Sequence, residues 1–111
     1  MTPAEVREFL ATRHHVALAT LTSDGSPDAT IVACRYRNEA LELMIAPEDP
    51  ALTAITTDDR VCCAAEVCPA YYELRGVSLQ GRAEPLGGDT VRLHIEHTMS
   101  FDFAKINERP D

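Results

Sequence analysis

Glu42-Leu43-Met44-Ile45-Ala46-Pro47-Glu48-Asp49-Pro50-Ala51-Leu52-Thr53-Ala54-Ile55-Thr56-Thr57-Asp58-Asp59-Arg60-Val61 reads as a strand, a stop, a short helix and the start of another strand. The apolar run ends at Pro47, and Asp49-Pro50 has the form of a helix start. Asp49 is placed to cap free amides, and Pro50 falls at the first helical position, where a missing N–H costs nothing. Leu52 and Ile55 give the following turns an apolar face. A helix N-terminus at the end of a strand gathers several backbone N–H groups and is a natural place for an anion.

Before this stretch the chain reads as a helix and three strands. Thr2-Pro3-Ala4-Glu5 fits a capping box, and Val6, Phe9 and Leu10 make the next turns amphipathic. His14–Leu21 is β-branched and alanine-rich, as in a buried strand. Asp24-Gly25 between apolar runs marks a hairpin turn. Asp28–Tyr36 alternates as a second strand, Arg37-Asn38-Glu39 turns the chain, and Ala40–Ala46 returns as a third. Strands joined by tight turns form an antiparallel meander.

After it, Arg60–Val67 is a fourth strand and Cys68-Pro69-Ala70 breaks it. Tyr71–Leu86 reads as one long bent strand, with Gly76 and Gly81 as points of bulge or close approach. Gly87-Gly88-Asp89 turns the chain, Thr90–Ile106 is a last long strand, and Asn107–Asp111 a frayed tail. Six strands with one small helix between the third and fourth suit an antiparallel barrel; a β-sandwich fits the same pattern almost as well.

With 111 residues, 45% hydrophobic and 25% charged, the chain reads as a single domain spanning 1–111. A domain of this size gains stability from dimerisation. The formal charge of −8 argues against nucleic acid or an anionic membrane surface as partner. No leader pattern or bilayer-length apolar run is present, which sets the cytoplasm as the expected location.

Cys34, Cys62, Cys63 and Cys68 lack the paired hooks of a zinc site and read as buried or half-buried thiols in a reducing cell. His14-His15 diverge on a strand, and His94 and His97 are expected on opposite faces, so no metal site is assigned. No Gly-x-Ser-x-Gly, Walker or Rossmann pattern occurs, and no base is placed beside a nucleophile, so no residue is assigned to catalysis. Tyr71-Tyr72 with Arg75 and Arg82 are either a solvent-facing strand with snorkelling arginines or a wall for a flat anionic ligand.

Three segments in this order resemble one known family. Ala19-Thr20-Leu21-Thr22-Ser23-Asp24-Gly25-Ser26-Pro27 resembles the opening "LATxxxDGxP" of pyridoxamine 5′-phosphate oxidase-like split-barrel proteins. Asp58-Asp59-Arg60-Val61 is similar to their "xxPRV" start of strand four, and Arg75-Gly76-Val77-Ser78-Leu79-Gln80-Gly81-Arg82-Ala83-Glu84 to their "RGVRVxGRAE" strand. The likeness runs roughly from Val6 to Lys105.

The resemblance implies a mainly β fold: a six-stranded antiparallel split β-barrel with small helices, a homodimer with two cofactor sites along its interface. It implies FMN as the usual cofactor, with a deazaflavin or haem in some branches, and a flavin-dependent oxidoreductase acting on a small-molecule substrate. Carried across, Thr30, Ile31, Val32 and Ala33 would run beside the isoalloxazine and ribityl chain. Met44, Ile45 and Ala46 would form a second wall, and Arg75 and Gly76 would approach from strand five. The flavin would perform hydride transfer while the protein positions it.

One departure stands in the opening stretch. The family's usual Ser-Arg-Lys or Ser-x-Lys phosphate clamp aligns with Asp49, Pro50 and Ala51, so both cations are missing. Two lost charge-assisted hydrogen bonds weaken phosphate binding by ~3–6 kcal/mol, about a hundred to ten thousand fold. Arg35, Arg37 and Arg75 are the candidate replacement cations. The alternatives to a flavin are haem or another small molecule on the same scaffold, or a cofactor-free dimeric binding protein.

Overall fold

The computed structural model describes residues 1–70 and 73–107, the last two by backbone alone. Its elements are α1 (Pro3–Ala11), β1 (His15–Leu21), β2 (Pro27–Arg37), β3 (Ala40–Met44), α2 (Pro50–Thr57), β4 (Arg60–Val67), β5 (Arg75–Gly87), β6 (Thr90–Asp102) and α3 (Phe103–Asn107). The six strands close into one antiparallel barrel in the order β1-β2-β3-β6-β5-β4, which decides between barrel and sandwich.

Local chemistry sets each junction. Thr2 caps α1 in a reciprocal box: its hydroxyl accepts from Glu5 N–H (3.2 Å), and Glu5 accepts from Thr2 N–H (2.9 Å). Val6, Phe9 and Leu10 are the buried face of that helix. The β1–β2 turn closes with Gly25 N–H donating to Thr22 C=O at 2.9 Å, and Gly25 adopts φ +83°. Asn38 and Glu39 both have positive φ, the geometry that matches a two-residue hairpin turn to strand twist.

The strands after α2 pair long. β4 runs beside β5 from Arg60↔Arg82 to Val67↔Arg75. β5 and β6 pair from Arg75↔Asp102 to Gly87↔Thr90, with irregularities at Gln80/Gly81 and Pro85/Gly87. Gly81 is needed at the first: an added Cβ would lie 1.9 Å from His94 C=O. Gly76 is needed for a similar reason, since its Cβ would lie 2.9 Å from both Ala65 C=O and the Phe101 ring.

Several expectations change: β3 ends at Met44 rather than Ala46, and Cys68 is exposed rather than buried or half-buried. The last strand stops at Asp102, whose carboxylate accepts from Ala104 N–H (3.1 Å) and starts α3. β5 begins at Arg75; Tyr71-Tyr72, and with them that half of the aromatic–guanidinium cluster, lie outside the described residues. His94 and His97 are both solvent-exposed, because the β6 bulge inserts one residue between His97, opposite Gln80, and Ile95, opposite Gly81.

The barrel interior is solid. Leu18, Leu41, Leu43 and Leu93 are completely buried, joined by Ile45, Ile55, Cys63, Leu79 and Val91. Alternation along each strand sends the neighbours of these residues outward. No described helix is long and apolar enough to cross a membrane.

Candidate functional site

With the interior filled, any ligand would have to sit on the outer wall, where β2 has an open edge. Its pairing with β3 runs only from Ala33↔Met44 to Arg37↔Ala40. From Pro27 to Val32 the strand pairs with β1 alone, because β3 turns away after Met44 and Ile45 N–H donates to Asp89 C=O at 2.7 Å. The backbone edge of β2 over this stretch therefore has no second strand. Open edge groups can hydrogen-bond the polar rim of a planar ligand, although Ala29 N–H already donates to Asp28 Oδ1 at 3.0 Å and Pro27 has no N–H to offer.

The sequence-derived positions divide on this frame. Ile31 is 68% exposed on the outer face, Thr30 and Ala46 are exposed, and Ala33 and Met44 are half-buried cross-strand partners. Val32 and Ile45 point into the core, so only their backbone is open to a ligand. Gly76 is buried against Phe101 and Ala65. Arg75 stands apart: its guanidinium lies 5.6 Å from the Phe9 ring, in a cavity of about 250 Å³ with Glu5, Glu8 and Asp102. It does not line the cavity that Ile31 lines.

Register builds a continuous outer face beside the β2 edge. One cross-strand row is Ile31-Ala17-Ala64-Ser78-Met99; the next is Ala29-Ala19-Cys62-Gln80-His97. Short side chains in the middle and large ones at the ends hollow out a mostly apolar cavity of about 650 Å³. Ile31, Met99 and Phe101 wall it, and His15, Glu66 and Ser100 supply polar atoms at its margin. Met99 is 73% exposed. A neighbouring cavity of about 300 Å³ is bounded by Ala19, Cys62, Gln80, His97, Arg60 and Arg82. Sequence reading missed Met99, Phe101, Ala17, Ala64 and Ser78. The alternating alanines Ala17 and Ala19 on β1 were a local sign of a shallow wall, whereas Met99, Phe101 and Ser78 join it only through strand register.

The start of α2 is filled by its own side chain. Asp49 Oδ1 accepts from Ala51 N–H at 2.9 Å, and Asp49 C=O accepts from Leu52 N–H at 3.0 Å. A carboxylate thus occupies the position where a bound phosphate would meet the amides, and the residues present do not fit a phosphate there.

Charge collects elsewhere. Arg35 donates to Glu42 at 2.9 Å, while Arg37 and Arg92 approach the same carboxylate at 4.0 and 3.6 Å. Hydrogen bonding from Arg35, aided by the other two guanidiniums, holds the Glu42 carboxyl below the usual carboxylate range. Asp58, gripped by Arg60, is lowered to about 2. Burial pushes the Cys63 thiol up to about 12 and also raises Cys34. All four cysteines are free thiols, Cys62 lying 3.5 Å from Ser78 Oγ. Among the described residues no group of three or more His, Cys, Asp or Glu is arranged to hold a metal ion.

No protein-family model and no curated protein matches the chain. Solved structures do. A conserved hypothetical protein from Mycobacterium tuberculosis superposes with TM-score 0.86 at 22% identity, over 100% of this chain and 91% of that one. A FAD-binding protein from Mesorhizobium loti gives 0.80 at 15% identity, over 90% and 94%. A heme binding protein from Mycobacterium smegmatis gives 0.74 at 20% identity, over 90% of this chain and 57% of its own. These likenesses show the fold, which is the split barrel of the pyridoxamine 5′-phosphate oxidase-like proteins.

Proposed function

We propose that the chain binds a flavin-type cofactor, FMN or a deazaflavin, along the open edge of β2 and serves as a flavin-dependent oxidoreductase for a small-molecule substrate. The observation that carries this reading is the unpaired stretch Pro27–Val32 beside an apolar outer wall. Backbone groups of this edge hold the polar rim of the ring, and Ile31, Ala33 and Met44 pack against its faces. When bound, a flavin supplies hydride transfer; the chain supplies position and exclusion of water. Structural neighbours that bind FAD or heme support a cofactor of this class on this fold.

The working unit in this reading is a homodimer. A second copy laid on the Ala17-Ala64-Ser78 face covers Ile31 and Met99 and turns the open cavity into an enclosed one. The four free thiols suit the reducing cytoplasm.

Haem is the second reading, favoured by one observation: the 650 Å³ cavity has apolar walls and includes both His15 and Met99, side chains able to ligate iron. Titration separates the two. Quenching of flavin fluorescence by the protein, with no sharpened Soret band on adding hemin, is expected. A sharp Soret shift lost in His15→Ala or Met99→Leu, together with no flavin quenching, would overturn the flavin reading.

A further inference from the structure

We propose that Arg35, Arg37 and Arg92 form a binding site for a phosphoryl group on the outer face of β2, β3 and β6. As the seat of a cofactor's phosphate it rests on the flavin reading above; as a phosphate site it stands by itself.

Register places the groups together. Arg35 on β2, Glu42 on β3 and Arg92 on β6 are consecutive partners in one cross-strand row. Arg37 lies two residues along β2 from Arg35, on the same face. Glu42 is only 6% exposed although it points outward, because the guanidiniums cover it.

One carboxylate serves three cations. Arg35 Nε and Nη2 both donate to Glu42 Oε1, at 3.3 and 2.9 Å. Arg37 Nε and Arg92 Nη2 stop 4.0 and 3.6 Å from Oε2, too far for good hydrogen bonds. Glu84 faces Arg92 across β5 and β6 but is hydrogen-bonded by His94 at 2.9 Å instead. Three guanidiniums against Glu42 and the neighbouring Glu84 leave a local charge of +1 in a chain whose formal charge is −8.

The other ion pairs show how unusual this is. Arg60 meets Asp58, Arg82 meets Asp59 and Glu96, and Lys105 meets Glu5, so carboxylates match or outnumber the cation each time. Unbalanced guanidiniums repel one another, and a phosphoryl group both offsets the excess positive charge and accepts from several forks at once. Glu42 fixes Arg35 in place beforehand, so less freedom is lost on binding.

The position also suits the ligand. The Ala33↔Met44 pair and the Arg35↔Glu42 pair lie two residues apart along β2, about 6.6 Å at strand spacing. A ring packed on Ile31, Ala33 and Met44 carries a short anionic tail onto the arginines. The cations absent from Pro50 and Ala51 are thus supplied from a different wall.

The test compares FMN, riboflavin and inorganic phosphate on the intact chain and on the variant Arg37→Gln/Arg92→Gln, with Arg37→Gln alone as the milder change. FMN should bind the wild type roughly ten to a hundred times more tightly than riboflavin, a preference worth one charge-assisted contact. The double variant should lose that preference while riboflavin affinity stays unchanged. The ³¹P resonance of inorganic phosphate should broaden with the wild type and not with the double variant. Broadening that depends on these arginines without binding of either flavin supports the phosphate site and overturns the flavin reading. Equal affinity for FMN and riboflavin with no broadening overturns the site, as does an FMN preference that survives both substitutions.

Discussion

The carboxylate of Asp49 accepts a hydrogen bond from the backbone N–H of Ala51 at 2.9 Å, so the first turn of α2 is closed by its own cap. Asp49→Ala should cost ~0.5–2 kcal/mol of stability, and Asp49→Ser should restore most of it. Urea unfolding of the two variants checks this. Neither should weaken FMN binding, since on the proposed reading the phosphate lies elsewhere; a large loss of affinity in Asp49→Ser would return it to α2.

Gly81 should be the least replaceable glycine in the chain. Its Cβ would fall 1.9 Å from the carbonyl oxygen of His94, a backbone atom that moves only if the bulge opens. Gly81→Ala should lose ~3 kcal/mol or more, the upper end of overpacking costs. Gly25→Ala meets open space and only the penalty of φ +83°, roughly 1–2 kcal/mol. Thermal unfolding of the two side by side measures the difference.

Acid should loosen the fold in a defined window. Arg35 holds the Glu42 carboxyl below its ordinary value of 4.5, and Arg60 holds Asp58 at about 2 against 3.8. For both groups the unfolded chain binds protons more readily, so stability rises with pH. Their contribution is complete above the ordinary values and disappears as pH falls from about 4.5 toward 2. Urea midpoints measured across this range should drop, and Glu42→Gln should make the drop shallower.

Thiol reagents should distinguish the four cysteines. Cys68 is exposed and should react at once, whereas Cys34 and Cys63 are buried with raised pKa values and should wait for unfolding. Mass spectrometry of timed alkylation gives the order. Rapid native labelling of Cys63 would contradict the packed interior.

Ala64→Arg should convert the proposed dimer to a monomer. Ala64 is exposed at the centre of the Ile31-Ala17-Ala64-Ser78-Met99 row, so a long charged side chain there leaves the barrel intact but blocks a facing copy. Sedimentation velocity reads the change; a wild type that sediments as a monomer would remove the dimer from the proposal.

How much of this was legible depends on distance along the chain. The β1–β2–β3 meander follows from Asp24-Gly25 and Asn38-Glu39, and α2 from Asp49-Pro50, because each is a local signal. The β4 limits, Arg60–Val67, were readable for the same reason. Barrel closure depends on β1 meeting β4 and β3 meeting β6, pairings that no local pattern records. The β6 bulge hid the common exposure of His94 and His97, and a single aspartate at 102 was the only sign of α3. On the candidate site, family likeness pointed to the outer wall that Ile31 and Met44 share, and the structure places Ile31 exposed and Met44 half-buried there. Arg92 was not legible, since fifty residues separate it from the Glu42 it approaches and only register joins them.

The packed leucines inside the barrel have a consequence for how this chain changes over evolutionary time. Leu18, Leu41, Leu43 and Leu93 hold the strands together from inside the barrel, so the fold rests on residues other than those of the proposed site. Substitutions on the outer wall should therefore alter the proposed site at little cost in stability. The polar groups at the start of α2 and on the outer strands can thus vary while the scaffold stays whole.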